Sequence, residues 1–333
     1  MSSISPLRYP GGKARFSEWI CKSIEHSGIT PRLFAEPFCG GCGVSLSLLE
    51  KEFVNKIAIN DLDPLIYSFW RVVFGKTRND RDDIDWLIQQ IEVGVITVDM
   101  WKKIKCSTPN TEKEIAFKCL FLNRTSFNGI IHKAGPIGGW EQKKRTLDVR
   151  FNREKLINKI NTLYDMREKV DRVCCQDWKL FCNSINKRAG IYLYLDPPYY
   201  HKAEQLYGNI LSIDNHKKMK HYLARIKAPW MLSYDDAPEV RSLYANTRSI
   251  VGAVIDQTYS AHPIGGARFV GRELFFSNRP MPIEPRQSHH KGMSIVGSVD
   301  SVEAPEGLVR VPAVDYLEMK KLNRSANKDE WAS

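Results

Sequence analysis

Short apolar runs alternate with amphipathic stretches along most of this chain. Leu33-Phe34-Ala35 and Lys56-Ile57-Ala58-Ile59 read as buried strands, and Gly43–Phe53 between them carries the apolar stripe of a helix. This strand-helix-strand unit predicts a parallel sheet. Further strands are expected at Arg172–Cys175, Ile191–Leu195, Pro229–Ser233, Ile250–Ile255 and Glu273–Phe276. Helices are expected at Glu154–Val170, Ile213–Ile226 and Pro238–Ala245. The fold class expected is therefore α/β.

Residues 71–155 break that rhythm. Asp83–Val93 and Glu112–Phe127 read as helices with no strand between them, and Asn128–Arg150 is rich in glycine, basic and aromatic residues. An inserted, mainly helical module with a basic hairpin or loop is expected here. The division is then 1–70 and 156–284 as two parts of one α/β domain, 71–155 as the insert, and 285–333 as an extension. That extension mixes Ser, Gly, Pro and charge with little periodicity and reads as partly disordered, with a short helix near Asp315–Leu322.

Composition narrows the setting. The 333 residues are 43% hydrophobic, enough for a substantial core, and contain no apolar run long enough to span a membrane. The N-terminus lacks the basic-then-apolar pattern of a secretory signal, so the eight cysteines are expected as reduced thiols in a cytoplasm. The net charge is +11, and the excess lies in residues 1–284, since the tail is balanced. A basic globular body points to a polyanionic partner, with nucleic acid the first candidate.

The chemistry concentrates at strand ends. Glu36-Pro37-Phe38-Cys39-Gly40-Gly41-Cys42-Gly43 joins the first strand to its helix, where glycines admit close backbone approach to a ligand. The next strand ends in Asn60-Asp61, placed for a carboxylate to accept from ribose hydroxyls. An acidic residue opening the glycine turn suits a cationic ligand, a sulfonium carrying an ammonium group, better than a dinucleotide phosphate. Cys39 and Cys42 allow a redox pair or half a zinc site, but no second ligand pair accompanies them, so no metal is expected. Arg8-Tyr9-Pro10-Gly11-Gly12-Lys13 is not a phosphate loop, because the spacing fails and Ala14 follows the lysine. Asp196-Pro197-Pro198-Tyr199 follows a buried strand and makes a rigid, flat-sided polar pocket for an exocyclic amine on a planar ring.

Taken in order, Tyr-Pro-Gly-Gly-Lys, Glu-Pro-Phe-x-Gly-Gly, Asn-Asp and Asp-Pro-Pro-Tyr resemble the D12 class of adenine-N6 DNA methyltransferases, the Dam-like family. Asn123-Arg124-Thr125-Ser126-Phe127-Asn128-Gly129 and Arg272-Glu273-Leu274-Phe275-Phe276-Ser277-Asn278 are similar to that family's segments, and the likeness spans about residues 5–280. The resemblance implies a Rossmann-like sheet with helices on both faces and S-adenosyl-L-methionine as cofactor. It implies that Tyr9, Gly12 and Lys13 meet the cofactor's amino-acid end. Glu36, Pro37, Phe38 and Gly40 would hold its methionine portion, Asp61 its ribose, and Asp177 its adenine. Asp177 can equally cap the helix that starts at Trp178.

At the pocket, Asp196 and the Pro197 carbonyl would accept from adenine N6, with Pro198 stiffening the turn and Tyr199 stacking on the base. The target must be flipped out of duplex DNA, and the methyl passes by direct displacement with no covalent enzyme intermediate. Asp196, where related cytosine-N4 enzymes or protein-glutamine methylases carry Ser or Asn, favours adenine. The rival readings are a cytosine-N4 DNA methyltransferase and a non-catalytic DNA-binding protein on the same fold. Lys133, Lys143, Lys144 and Arg145 are candidates for phosphate contacts, and Arg124 for base reading; Arg124 and Asn128 would alternatively brace the hairpin from within. The residues after Gly129 depart from the Dam pattern, so its GATC target is not carried over. Tyr200–Gly208 is expected to close over the flipped base. A monomer is compatible with these residues.

Overall fold

The computed structural model describes residues 4–9, 11–76, 78–143, 145–200, 211–245, 247, 249–259, 269–284, 286–288 and 293–303. Nine strands make one mixed sheet: β1 (Leu33–Glu36), β2 (Lys56–Asn60), β3 (Val170–Cys174), β4 (Ile191–Leu195), β5 (Trp230–Asp235), β6 (Val251–Tyr259), β7 (Phe269–Ser277), β8 (Arg286–Ser288) and β9 (Met293–Ser298). Their order is β3-β2-β1-β4-β5-β7-β6-β9-β8. The first five positions are parallel, and β7, β6, β9 and β8 add antiparallel.

The helices are α1 (Ser17–His26), α2 (Gly43–Glu50), α3 (Pro64–Val73), α4 (Arg78–Val93), α5 (Val98–Cys106), α6 (Glu112–Thr125), α7 (Arg153–Asp165), α8 (Trp178–Ile185), α9 (Ile213–Leu223) and α10 (Pro238–Tyr244). Strand alternation sorts them onto two faces. Phe34, Ile57, Ile59, Tyr192 and Tyr194 join one apolar cluster with Trp19 and Ile20 of α1, Leu48 of α2 and Trp70 of α3. Leu33, Ala35, Leu193 and Leu195 join the other with Phe181 of α8, Met219 of α9 and Val240 of α10. The sheet is thus covered on both sides, as a parallel sheet with apolar runs on its strands requires.

Three expectations change. The helix expected over Glu154–Val170 stops at Asp165; a 3-10 turn over Arg167–Lys169 follows, and Val170 already belongs to β3. The boundary at 70 falls inside α3, which packs closely on α6 of the insert through a continuous core containing Phe69, Trp70, Leu120 and Phe121. Residues 286–288 and 293–298, in the extension read as partly disordered with no strand expected, extend the sheet: β9 pairs with β6, and β8 pairs with β9. Their backbone groups are satisfied by ladder bonds, which no side-chain periodicity announces. The helix expected near Asp315–Leu322 lies outside the described residues.

The insert consists of α4, α5 and α6, followed by a loop. Among the described residues, 126–150 contain no strand pair. A single bridge, Ser126 to Pro136, closes the loop, with 3-10 turns over Phe127–Gly129 and Leu147–Arg150. No helix among the described residues is long and apolar enough to cross a membrane.

Candidate active site

The order of strands locates the site. From β1 the chain steps outward to β2 and β3, then returns to β4 on the other side of β1 and continues to β5. The C-terminal ends of β1 and β4 therefore flank the point where the winding reverses, the crevice at which open α/β sheets bind ligands. Glu36 ends β1, Asp61 follows β2, and Asp196 follows β4. A cavity of about 310 Å³ opens there. Tyr9, Gly12, Lys13, Glu36, Pro37, Phe38, Gly40, Asp61 and Asp177 all line it, as do Asp196 and Pro198.

The glycine turn is held from several directions. Gly40 has φ +43°, and a Cβ there would meet the Tyr9 ring at 2.6 Å, so the N-terminal segment and the turn pack only with glycine. Trp70 Nε1 donates to the Gly40 carbonyl at 2.8 Å, and the Gly40 N–H donates to Asp61 Oδ2, also at 2.8 Å. Asn60 ties the three strand ends together. Its Nδ2 donates to the Pro37 and Gln176 carbonyls, both at 2.9 Å, and its Oδ1 accepts from the Gln176 N–H at 3.1 Å. In the sequence Asn60 stands out only as the neighbour of Asp61.

The carboxyls in this cavity are poised by burial. Glu36 is 3% exposed. Its Oε1 accepts from the Ser45 N–H at 3.2 Å, and its Oε2 has no hydrogen-bond partner among the described residues. Burial pushes the Glu36 carboxyl up to about 8. Burial likewise raises Asp61 to about 7, against its bonds from the Asp63 and Gly40 amides. An orphaned buried acceptor beside a second raised carboxyl fits a cationic ligand, which would restore the charge interactions that burial removes. Asp177 Oδ1 caps α8 by accepting from the Lys179 N–H at 2.9 Å, while the residue also lines the cavity, so the cap and a place in the cavity wall coexist.

Lys13 lies at the floor of the pocket. Its Nζ is 3.0 Å from Asp196 Oδ1, donates to the Gly11 carbonyl at 3.0 Å and sits 3.5 Å from Glu273 Oε2 on β7. Burial alone would lower Lys13. The carboxylates of Asp196 and Glu273 outweigh it and hold the ammonium well above the usual lysine range. The Tyr199 ring lies 4.9 Å from the same ammonium. Asp196 Oδ1 also accepts from Ser233 Oγ at 2.7 Å, and Ser233 Oγ shares a hydrogen bond with Tyr194 Oη at 3.0 Å. Glu273, Ser233 and Tyr194 are not among the candidate site residues of the sequence. A signal exists at Glu273, a carboxylate directly before the apolar run Leu274-Phe275-Phe276. Pro197 and Tyr199 are absent from the cavity lining.

The insert touches this site through the chain's first residues. Asn123 of α6 accepts from the Arg8 N–H at 2.7 Å and donates to the Arg8 and Gly129 carbonyls at 2.8 and 3.0 Å. Gly129 has φ +77°, and a Cβ there would meet the Arg8 carbonyl oxygen at 2.2 Å. Arg124 does not face outward as a base reader: its guanidinium donates to the Arg150 carbonyl through Nε at 2.7 Å and reaches the Pro6 carbonyl at 3.3 Å. Asn128 is exposed in a left-handed conformation, φ +54°, at the turn itself. Lys133, Lys143 and Arg145 are exposed on the loop, with Lys143 paired to Glu141. Lys144 and residues 201–208 of the expected closing loop lie outside the described residues. His132 Nε2 reaches Asp63 Oδ2 at 2.5 Å, which joins the loop to the strand end carrying Asp61.

Comparison with known proteins places this geometry in a family. The family model of the D12 class N6 adenine-specific DNA methyltransferases matches residues 9–256. The type II methyltransferase M.MjaIII of Methanocaldococcus jannaschii is 24% identical over 219 residues, covering 58% of this chain and 68% of that protein. Among solved structures, the rRNA methyltransferase AviRa from Streptomyces viridochromogenes aligns over 88% of this chain and 85% of its own, at 11% identity and a TM-score of 0.29. The family match runs from Tyr9 through the glycine turn and the insert to β6, with Lys13, Glu36, Asp61 and Asp196 inside it, and the chain belongs to the D12 class of N6 adenine-specific DNA methyltransferases.

Proposed function

We propose that the cavity at the β1–β4 crevice binds S-adenosyl-L-methionine, and that Asp196-Pro197-Pro198-Tyr199 receives an adenine flipped out of duplex DNA. The observation that carries this reading is the shared cavity: Asp196 opens onto the same space as Glu36, Gly40 and Asp61. The cofactor supplies a methyl group on a sulfonium. Glu36, with its free Oε2, takes the cofactor's ammonium, Asp61 takes ribose hydroxyls, and Asp177 lies at the adenine end.

Asp196 has one oxygen already committed. Ser233 donates to Oδ1 and the Lys13 ammonium pairs with the same oxygen at 3.0 Å. Oδ2 and the Pro197 carbonyl accept from the N6 amino group and aim its lone pair along the line of displacement. Positive charge would develop on N6 as its bond to the methyl forms while the sulfur–methyl bond breaks and a neutral thioether leaves; the fixed carboxylate stabilises that charge without reorganisation, and N6 then gives up one proton toward solvent. Tyr199 provides a stacking face for the base. The insert loop, with Lys133, Lys143 and Arg145, lies along the DNA backbone and sets the register of the target.

The test is methyl transfer from labelled cofactor to duplex DNA, followed by hydrolysis and identification of the base. N6-methyladenine from the wild type and loss of at least roughly 10²-fold in Asp196→Ala is expected. Label in N4-methylcytosine would replace the adenine assignment, and near-wild-type rates in Asp196→Ala would remove the pocket assignment.

A further inference from the structure

Glu273 shares the Lys13 ammonium with Asp196 and is absent from the cavity lining. It is 4% exposed, on β7, opposite Asp235 of β5 and Ile255 of β6 in the ladder. The groups that act on it are Lys13, Asp196 and Asp235. Lys13 is thus a single ammonium shared between two carboxyls, at 3.0 Å from Asp196 and 3.5 Å from Glu273. The longer contact is an ion pair at the limit of hydrogen-bond reach, and Lys13 is the group that holds Glu273 Oε2.

We propose that Glu273 is a positioning residue that sets the charge of the catalytic pocket, and that its ionisation makes Asp196 an effective acceptor for adenine N6. This rests on the reading of Asp196 given above. With Glu273 ionised, the Lys13-Asp196-Glu273 group carries one net negative charge next to the reacting nitrogen. With Glu273 protonated, the group is neutral, and the ammonium's attraction falls on Asp196 alone. The first state stabilises the positive charge that N6 gains in the transition state; the second does so less, because Asp196's charge is already drawn toward Lys13. Burial pushes Glu273 up to about 7, so both states are accessible near neutral pH. Asp61, raised to about 7, and Glu36, raised to about 8, titrate in the same range but belong to the cofactor side of the cavity. Saturating cofactor removes their effect on occupancy.

The experiment is single-turnover methylation of duplex DNA at saturating enzyme and cofactor from about pH 5.5 to 9, a range that brackets the expected transition. The wild type is expected to lose rate below a transition near neutrality and to level off toward the Glu273→Gln rate. Glu273→Gln is expected to be slow, by about tenfold or more at about pH 8, and flat through that range. Glu273→Asp restores a titrating limb, with its midpoint moved. Melting curves and cofactor binding for each variant report folding separately. A Glu273→Gln protein that keeps the wild-type acid limb overturns the inference, as does a Glu273→Asp protein without one. A wild type that transfers no methyl at any pH overturns the active-site reading instead.

Discussion

Lys13 Nζ lies 3.0 Å from Asp196 Oδ1, although Lys13 belongs to the N-terminal segment and Asp196 to the turn after the fourth strand. The contact unites the two motifs that lie at the ends of the cofactor and substrate sequence signatures. Lys13→Met leaves Asp196 and Glu273 facing each other without a counter-charge. Removing one partner of a buried pair costs on the order of 3–5 kcal/mol. Urea denaturation should show a loss of that order together with loss of methylation. A variant within about 1 kcal/mol of wild type, a change ordinary for single substitutions, would mean the pair is not a structural element.

Glu36 gives a pH signature to the protein without cofactor. Its carboxyl is raised to about 8 in the folded state, from the ordinary value of 4.5. The folded state therefore holds that proton more tightly than the unfolded chain, and stability is lost as pH rises from about 4.5 through about 8. Asp61, raised to about 7, adds a loss of the same sign. Melting temperatures from about pH 5 to 9 should fall across this window in the wild type and fall less in Glu36→Gln. The same variant should bind cofactor more weakly, read by calorimetry.

Gly129 tests the brace between the insert and the N-terminal segment. Gly129→Ala places a Cβ 2.2 Å from the Arg8 carbonyl oxygen and forces a side chain into a left-handed backbone at φ +77°. Strain of this kind costs on the order of 1–3 kcal/mol. The displaced segment carries Tyr9, which packs on the glycine turn. Cofactor affinity should therefore drop although Gly129 lines no part of the cavity. Unchanged affinity with unchanged stability would show that the segment is held elsewhere.

Lys133 and Arg145 are exposed on the loop, and their replacement by alanine should weaken DNA binding. Removing one phosphate contact should reduce the slope of log affinity against log salt by about 0.9. Cofactor binding in the absence of DNA should remain at the wild-type value. A salt slope identical to wild type in the double variant would place the DNA elsewhere on the basic surface.

His132 offers a second link between loop and cofactor site, because it reaches Asp63, whose N–H donates to Asp61 Oδ1 at 3.0 Å. His132→Ala should weaken cofactor binding severalfold with DNA absent. An effect that appears only when DNA is present would assign His132 to the DNA interface instead.

Much of the site is readable before the fold. The strand over Ile191–Leu195 and the turn at Asp196 follow from a contiguous apolar run that ends in a carboxylate and two prolines. Glu36 and Asp61 stand at ends of strands that a local pattern identifies, and parallel neighbours bring those ends together. Motifs compact in sequence, on elements whose period is local, are legible because each element's conformation is set within a few residues of itself.

The residues that escape a reading of the sequence are those whose role depends on distant partners. Arg124 admits two readings in the sequence, a reader of bases or a brace for the loop, and the fold brings the Arg150 and Pro6 carbonyls to it. The strands at 286–288 and 293–298 acquire their order from pairing with β6 and with each other, which their own composition does not encode. Glu273 reads as one carboxylate directly before an apolar run, and only the β5–β7 register sets it against Lys13 and Asp196. Local propensity and strand-end chemistry, then, are carried by the chain in short stretches and define the fold class, the glycine turn after β1 and the carboxylate turn at Asp196. The charge state of that pocket and the bracing of its walls come from contacts between segments far apart in sequence, because burial and electrostatic coupling exist only once the sheet has closed around them.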